Sequence, residues 1–299
     1  MIGFGVAFLA AFLWAGFDAA RKHLGPAHGA LPLLALLHTT QLPLFVGWIL
    51  MNGSPAPPAG YWPWGGAVLV LNLTANGLFI GAVTRSPLSV TIPLLSLTPA
   101  TTALLGIPLL GEIPALPQWA GIVLVVSGAA WLAILRGEPG AYGPERDDSE
   151  SHPSLLSRMK REPGVPMMAA VAVLWSLTGP MDKRALAFAD LPVHATIQVG
   201  GIGLLTTAWL LASGRGRDLL VTGRRAWAVV GGALVGAGAY GLQLLAIKLI
   251  FVSLVEAIKR AIGMTSALVL GRFTFGESIS VPKVLAVVTM MAGTALLLL

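Results

Sequence analysis

The chain has 299 residues, of which 56% are hydrophobic and only 11% charged, and its mean hydropathy is +0.81. Soluble domains carry about 25% charged residues, so this composition excludes an ordinary soluble protein; at about 20 apolar residues per span it leaves room for roughly ten membrane helices and little else. The absence of cysteine excludes disulfides, thiolate metal sites and cysteine nucleophiles, and the net charge of +6 comes from cations set between apolar spans, a pattern of membrane orientation rather than of nucleic-acid binding.

Breaking the chain at charge, Pro and Gly clusters predicts spans near 2–20, 30–51, 63–83, 87–109, 116–135, 165–188, 192–212, 226–247, 250–271 and 280–299. The first, "MIGFGVAFLAAFLWAGF", has no positive n-region and no convincing cleavage site, and reads as a retained span. It carries Trp14, read as packing, and ends in Asp18, Arg21 and Lys22, a cluster expected to be solvated. Span two holds His38 and Gln41, and span three holds Asn72 and Asn76. Prolines 87, 93, 99 and 108 crowd span four and should kink or break it. After span five comes "RGEPGAYGPERDDSESHPSLLSRMKREPG", 136–164, hydrophilic and rich in Ser, Pro and Gly, which reads as a flexible linker.

Span six carries Trp175 and ends in Asp182, Lys183 and Arg184, again expected to be a solvated cluster. Span seven holds His194 and Gln198 one turn apart. Span eight holds Tyr240 and Gln243, with Gly232 and Gly236 spaced for close helix contact. The polar residues of spans two, three, seven and eight are read as lining a solute cavity; the competing reading is interhelical hydrogen bonding, worth about 0.6 kcal/mol each in a membrane.

Span nine, "FVSLVEAIKRAIGMTSALVLG", carries Glu256, Lys259 and Arg260 near its middle. A charge at the bilayer centre costs about 2.5–3.5 kcal/mol on insertion scales, so such groups face a partner or a wet cavity. Spacings of three and four place both cations against the carboxylate. One cation neutralises Glu256 and leaves positive charge over. Either Asp18 or Asp182 completes an internal network, or the excess meets an anionic solute, for which a planar Arg fork beside a mobile Lys is suited. Glu256 is also a candidate for proton exchange during a transport cycle.

The two sides of the linker repeat. "LLGIPLLGEIPALPQWAGIVLVVSG" aligns with "LVLGRFTFGESISVPKVLAVVTMMAG" at an offset of 165, matching Gly106, Gly111, Glu112 and Gly128 with Gly271, Gly276, Glu277 and Gly293. At that offset Glu256, Lys259 and Arg260 face Thr91, Leu94 and Leu95, so the repeat itself does not require the charges. An odd number of spans in each half makes the repeats inverted. The expectation is an all-α integral membrane protein of ten transmembrane helices in two inverted five-helix repeats, 1–135 and 165–299. Of the nineteen Lys and Arg, fourteen fall on the side opposite the N-terminus, and only Lys183, Arg184 and Lys248 on the N-terminal side. The positive-inside rule then puts both termini outside the cytoplasm of a cell (inner) membrane.

The stretch "SPLSVTIPLLSLTPATTALLGIPLLGEIPALPQWAGIVLVVSGA", with its Gly-Glu turn at Gly111-Glu112 and again at Gly276-Glu277, resembles the EamA repeat of the drug/metabolite transporter superfamily. The resemblance implies an exporter or exchanger of small solutes with a central cavity between the halves. Lys259-Arg260 is similar to a pair that sugar-phosphate translocators of that superfamily use toward phosphate. Many relatives are drawn with cytoplasmic termini, opposite to the charge count here. The resulting reading is a secondary transporter of a small metabolite, with an organic anion as substrate or counter-substrate. It needs no partner beyond the solute and the lipid bilayer, and a monomer suffices. The alternatives are an exporter of amino acids or lipophilic compounds and a non-transporting scaffold. No metalloprotease, phosphate-loop or dinucleotide pattern occurs, so no enzyme, metal or cofactor is expected.

Overall fold

The computed structural model describes residues 1–86, 92–136, 162–275 and 280–299. Among them the chain forms α-helices and short 3-10 turns, with no strand. In chain order these are α1 (Ile2–His28), α2 (Ala30–Asn52), a 3-10 turn Ala59–Tyr61, α3 (Trp62–Arg85), a 3-10 segment Ile92–Leu97, α4 (Thr98–Leu110), α5 (Leu116–Arg136), α6 (Gly164–Ala185), α7 (Leu191–Ala212), a 3-10 turn Gly216–Leu219, α8 (Gly223–Leu249), α9 (Val252–Phe275) and α10 (Val281–Leu296). The helices coincide with the apolar windows because nothing within a window competes for the backbone. They stop where the chain needs a left-handed residue: Gly53 ends α2 at φ 62° and Gly111 ends α4 at φ 70°.

Two windows differ from expectation. α1 runs to His28, eight residues past the predicted end, carrying Arg21 outward on the same helix. The window 87–109 is not one helix: 92–97 is 3-10 and α4 begins at Thr98 with Pro99 in its first turn. Proline removes an N–H and starts helices better than it continues them. Pro87 and Thr91, most of the linker (137–161) and Gly276-Glu277 lie outside the described residues.

Among the described residues, five helices contain stretches long and apolar enough to cross a membrane: Ile2–Gly25 of α1, then α2, α6, α7 and α8; Leu94–Leu110, Leu116–Trp131 and Val281–Leu296 are shorter apolar helices. Only 28–56% of the residues in the most apolar windows of those five are buried by protein. Phe12, Leu204, Trp209 and Val288 are among the large apolar side chains left more than half exposed. Apolar surface on that scale would drive aggregation in water, and lipid is its natural solvent.

The chain folds into two compact units, neither of which is a half of the sequence. The first comprises Met1–Leu73 and Thr178–Val255. In it α1 packs along α8, and α2 along α7 and α8. Gly232 and Gly236 do the work expected of them: a Cβ at Gly232 would meet Ala20 and Leu37 at 3.3–3.4 Å, and one at Gly236 would press into Phe17 at 2.6 Å and Gln41 at 2.8 Å. Phe17, Leu24, Leu33, Leu37, Val229 and Ala233 fill the space between, and Trp14 packs against them, its ring 5.6 Å from Phe17.

The second unit comprises Thr74–Leu177 and Glu256–Leu299. Its main contact is α5 along α10. The repeat-matched glycines Gly128 and Gly293 both lie in this contact, where a Cβ on either would stand within 3.0 Å of backbone on the other helix. Trp175 packs with Phe79 at 5.5 Å between centroids.

Candidate functional site

In the first unit the ends of α6 and α7 bring a polar chain into the protein interior. Asp182, three residues from the end of α6, and His194, in the first turn of α7, are joined by 2.9 Å between Asp182 Oδ1 and His194 Nε2. The other ring nitrogen, Nδ1, is 2.8 Å from the hydroxyl of Tyr61. Exposure is 0% for Tyr61, 2% for Asp182 and 0% for His194, so all three are buried. An ionised carboxylate can only accept, which assigns the imidazole proton to Nε2 and leaves Nδ1 to accept from the tyrosine O–H.

The setting of Tyr61 is built. Gly65, one turn on, has no side chain because a Cβ there would enter the Tyr61 ring. The carbonyl of Gly65 accepts from Gln198 Nε2 at 2.8 Å, and Gln198 lies one turn beyond His194 on α7. Burial raises the Tyr61 hydroxyl to about 12; the Gln198 side chain opposes that rise, and the negative Asp182 adds to it. Tyr61 therefore stands as a hydroxyl donor at any physiological pH. Tyr240 on α8 is within electrostatic reach of both Asp182 and Tyr61, and its ring stands edge-on to Phe45 at 6.4 Å. Among the described residues the buried Tyr240 hydroxyl, Gln198 Oε1 and Ser253 Oγ have no hydrogen-bond partner. Beside this chain, Lys183 donates to the carbonyl of Ile250 at 2.9 Å, and the Arg184 guanidinium lies 5.8 Å from the Trp64 ring centre.

Asp182 is thus not the solvated end-of-span charge that its sequence suggests, because His194 reaches it across the turn between α6 and α7. Asp18 does behave that way: its side chain is 65% exposed, with Arg21 at 3.5 Å.

In the second unit, the first turns of α9 carry the charged triplet. Glu256 is buried, 7% exposed, and accepts from Lys259 Nζ at 2.5 Å. Arg260, the next residue, is half-buried. The repeat-matched Leu94 and Leu95 lie in the 3-10 segment before α4, where Leu95 joins an apolar cluster with Ala82, Met168, Val171 and Ala172.

The remaining candidates divide between the units. His38, Gln41, Asn72, His194, Gln198, Tyr240 and Gln243 belong to the first, and Asn76, Glu256, Lys259 and Arg260 to the second. His38 Nδ1 binds the carbonyl of Leu34 at 2.8 Å, a bond within its own helix. Gln41 and Gln243 are buried, and Asn72 and Asn76 half-buried. The structure brings His194, Gln198 and Tyr240 to one region, where His194 bonds Tyr61 and Asp182 and Gln198 bonds the Gly65 carbonyl, and Glu256 pairs with Lys259 in the other unit.

Comparison with known proteins follows this geometry. The EamA-like transporter family matches residues 1–134 and 162–299, all but the linker and its flanks. The chain belongs to the EamA-like transporter family. As such it is a multi-pass membrane protein and a transporter of the drug/metabolite type. A solved structure described only as "Crystal structure of protein" superposes with a TM-score of 0.75 at 20% identity, covering 98% of this chain and 96% of that one, which establishes a shared fold. No curated protein matches.

Within this EamA-like chain, sequence reasoning missed Tyr61 and Ser176. Tyr61 precedes the predicted span 63–83, and its one signal in the sequence is Gly65 four residues on. Ser176 closes the break before α4: its Oγ lies 2.8 Å from Thr101 Oγ1, and its carbonyl accepts from Thr102 at 3.4 Å. Hydroxyls of this kind occupy polar groups that a proline-interrupted helix frees in a membrane.

Proposed function

We propose that this transporter moves a small organic anion by alternating access, as exporter or exchanger. Lys259 and Arg260 hold the anionic group, and Glu256 holds Lys259 when no solute is bound. The observation that carries the reading is the buried Glu256 paired with a half-buried Lys259, with Arg260 directly following, on a helix whose repeat-matched positions Leu94 and Leu95 are apolar. A fold that can be built without these charges keeps them for a solute. A planar Arg fork beside a mobile Lys suits phosphate or carboxylate.

In this reading ten spans form two inverted repeats, with both termini outside the cytoplasm and 136–164 within it. Asn76, a half-buried amide of the same unit as Lys259 and Arg260, would offer a neutral hydrogen bond to the rest of the solute. One observation favours a second reading, a lipophilic solute: a groove of about 240 Å³ between α2 and α8 is lined by Leu44, Phe45, Trp48, Gly241, Leu242 and Leu245. A proteoliposome uptake screen of labelled phosphate esters, dicarboxylates, amino acids and an apolar amine separates the two. Uptake confined to the anions supports the first reading, and uptake of the amine alone overturns it.

A further inference from the structure

We propose that the Asp182–His194–Tyr61 chain of the first unit is a proton-binding site whose occupancy changes during transport, so that the cycle is coupled to protons here; the coupling rests on the transport reading above, the binding site does not.

The argument begins with charge. Asp182 is 2% exposed and His194 0%, and the two are joined at 2.9 Å. A structural hydrogen bond between buried side chains could be made by two neutral groups without placing a carboxylate in the interior. An aspartate with a histidine instead gives an assembly that gains or loses one unit of charge with one proton, and histidine is the side chain whose ordinary titration falls between pH 5 and 8.

The hydrogen-bond chain has an alternative arrangement ready for the added proton. With neutral His194, Nε2–H donates to Asp182 and Nδ1 accepts from Tyr61 at 2.8 Å. A proton arriving from water adds to the Nδ1 lone pair. No other covalent bond changes, and the net charge of the chain rises by one. Nδ1–H then donates to the Tyr61 oxygen, and the Tyr61 O–H must turn to another acceptor. Two buried oxygens in this region have no hydrogen-bond partner among the described residues, Gln198 Oε1 and the Tyr240 hydroxyl, and the latter is within electrostatic reach of Tyr61. Gln198 is itself anchored through Nε2 to the Gly65 carbonyl at 2.8 Å, so Oε1 is held in place. A buried acceptor without a donor is costly, and the protonated state offers the turned Tyr61 O–H to this region.

The groups that surround the chain come from four elements. Lys183 and Arg184 follow Asp182 on α6; Lys183 donates to the Ile250 carbonyl and Arg184 lies over the Trp64 ring. Asp190 precedes α7 and is exposed. From α8 comes Tyr240, within electrostatic reach of Asp182 and Tyr61, with a buried hydroxyl available to either state. Tyr61 itself comes from the turn before α3.

The test uses the full-length protein in lipid nanodiscs, with 15N-labelled histidine. Five histidines are present, and the His194 signals are those lost in His194→Gln. The expected result is a single titration of His194 between pH 5 and 9, whose midpoint moves by about one pH unit or more in Asp182→Asn, and whose Nδ1 shift changes in Tyr61→Phe. A His194 that keeps one protonation state across this range, or titrates identically in both variants, overturns the proposal. Should Asp182→Asn fail to fold, Tyr61→Phe removes only a hydroxyl and decides alone. A second arm follows labelled phosphate and labelled succinate in proteoliposomes. Asp182→Asn should lose accumulation driven by a pH gradient. Gradient-driven accumulation that persists in Asp182→Asn overturns the coupling. If wild-type protein takes up neither probe, the anion reading fails, and the titration still decides the proton site.

Discussion

Gly293→Ala adds one methyl group to α10, and the structure gives its surroundings. The new Cβ would stand 2.7 Å from the Gly121 carbonyl oxygen, 2.8 Å from Leu124 Cβ and 2.9 Å from the Val125 nitrogen. Two of these three atoms are backbone of α5, so no side chain can rotate away. Restoring an ordinary separation of about 3.5 Å requires α5 and α10 to part by roughly 0.6–0.8 Å along their contact. Overpacking of this kind costs about 1–3 kcal/mol. The substitution also gains helix propensity, about 1 kcal/mol in water, and a control cancels that gain. Gly77→Ala in α3 makes the same chemical change where a Cβ meets nothing within 4 Å. Melting of the two purified variants in the same detergent should therefore differ, Gly293→Ala unfolding several degrees below Gly77→Ala. Gly121→Ala presses on the Gly293 carbonyl at 2.7 Å, so combining it with Gly293→Ala should cost less than the sum of the two. Equal melting of Gly293→Ala and Gly77→Ala would refute the close α5–α10 contact.

Other outcomes follow from the same structure. Lys259→Ala takes from the buried Glu256 its ion-pair partner; with the lysine side chain 27% exposed, the loss should be about 1–2 kcal/mol, and Glu256→Gln in that background should recover part of it in a melting experiment. Ser176→Ala removes the hydroxyl that meets Thr101, and should destabilise the protein by about 1 kcal/mol, read as a lower melting temperature. Tyr61, raised to about 12, should show no tyrosinate absorbance until well above the ordinary tyrosine range, as Tyr61→Phe difference spectra would reveal. Its contribution to stability is present in full below pH 10, where unfolded tyrosine is also protonated, and is lost as pH rises toward 12, because the unfolded chain gives up the proton first. Reporter fusions at the termini should be active outside the cytoplasm, and activity inside would contradict the orientation drawn from Lys and Arg.

Much of this molecule was legible in its sequence because membrane helices are specified by long apolar windows, and lipid asks little more of the residues facing it. Gly232 and Gly236 announced a close helix contact by spacing alone, and the prolines around α4 announced its break. The family was legible for the same reason: the repeat matches Gly128 with Gly293, whose place in the α5–α10 contact is steric. What could not be read was pairing between residues far apart in the chain. Asp182 beside Lys183 and Arg184 has the sequence of a solvated cluster, and nothing local says that His194 folds back on it or that Tyr61 arrives from 133 residues away. The Glu256–Lys259 pair was legible because both partners sit on one helix, three residues apart. Local spacing thus revealed contacts within an element, and tertiary packing decided the rest.

The central claim is that the charges of α9 serve an anionic solute. Its most direct measurement is uptake of the best anionic probe by proteoliposomes of wild type, Gly77→Ala and the double variant Lys259→Ala/Arg260→Ala, with folded protein matched by gel filtration. The account predicts equal uptake by wild type and Gly77→Ala and a loss of tenfold or more in the double variant, about 1.4 kcal/mol or more of binding. Undiminished uptake by a folded double variant would contradict it.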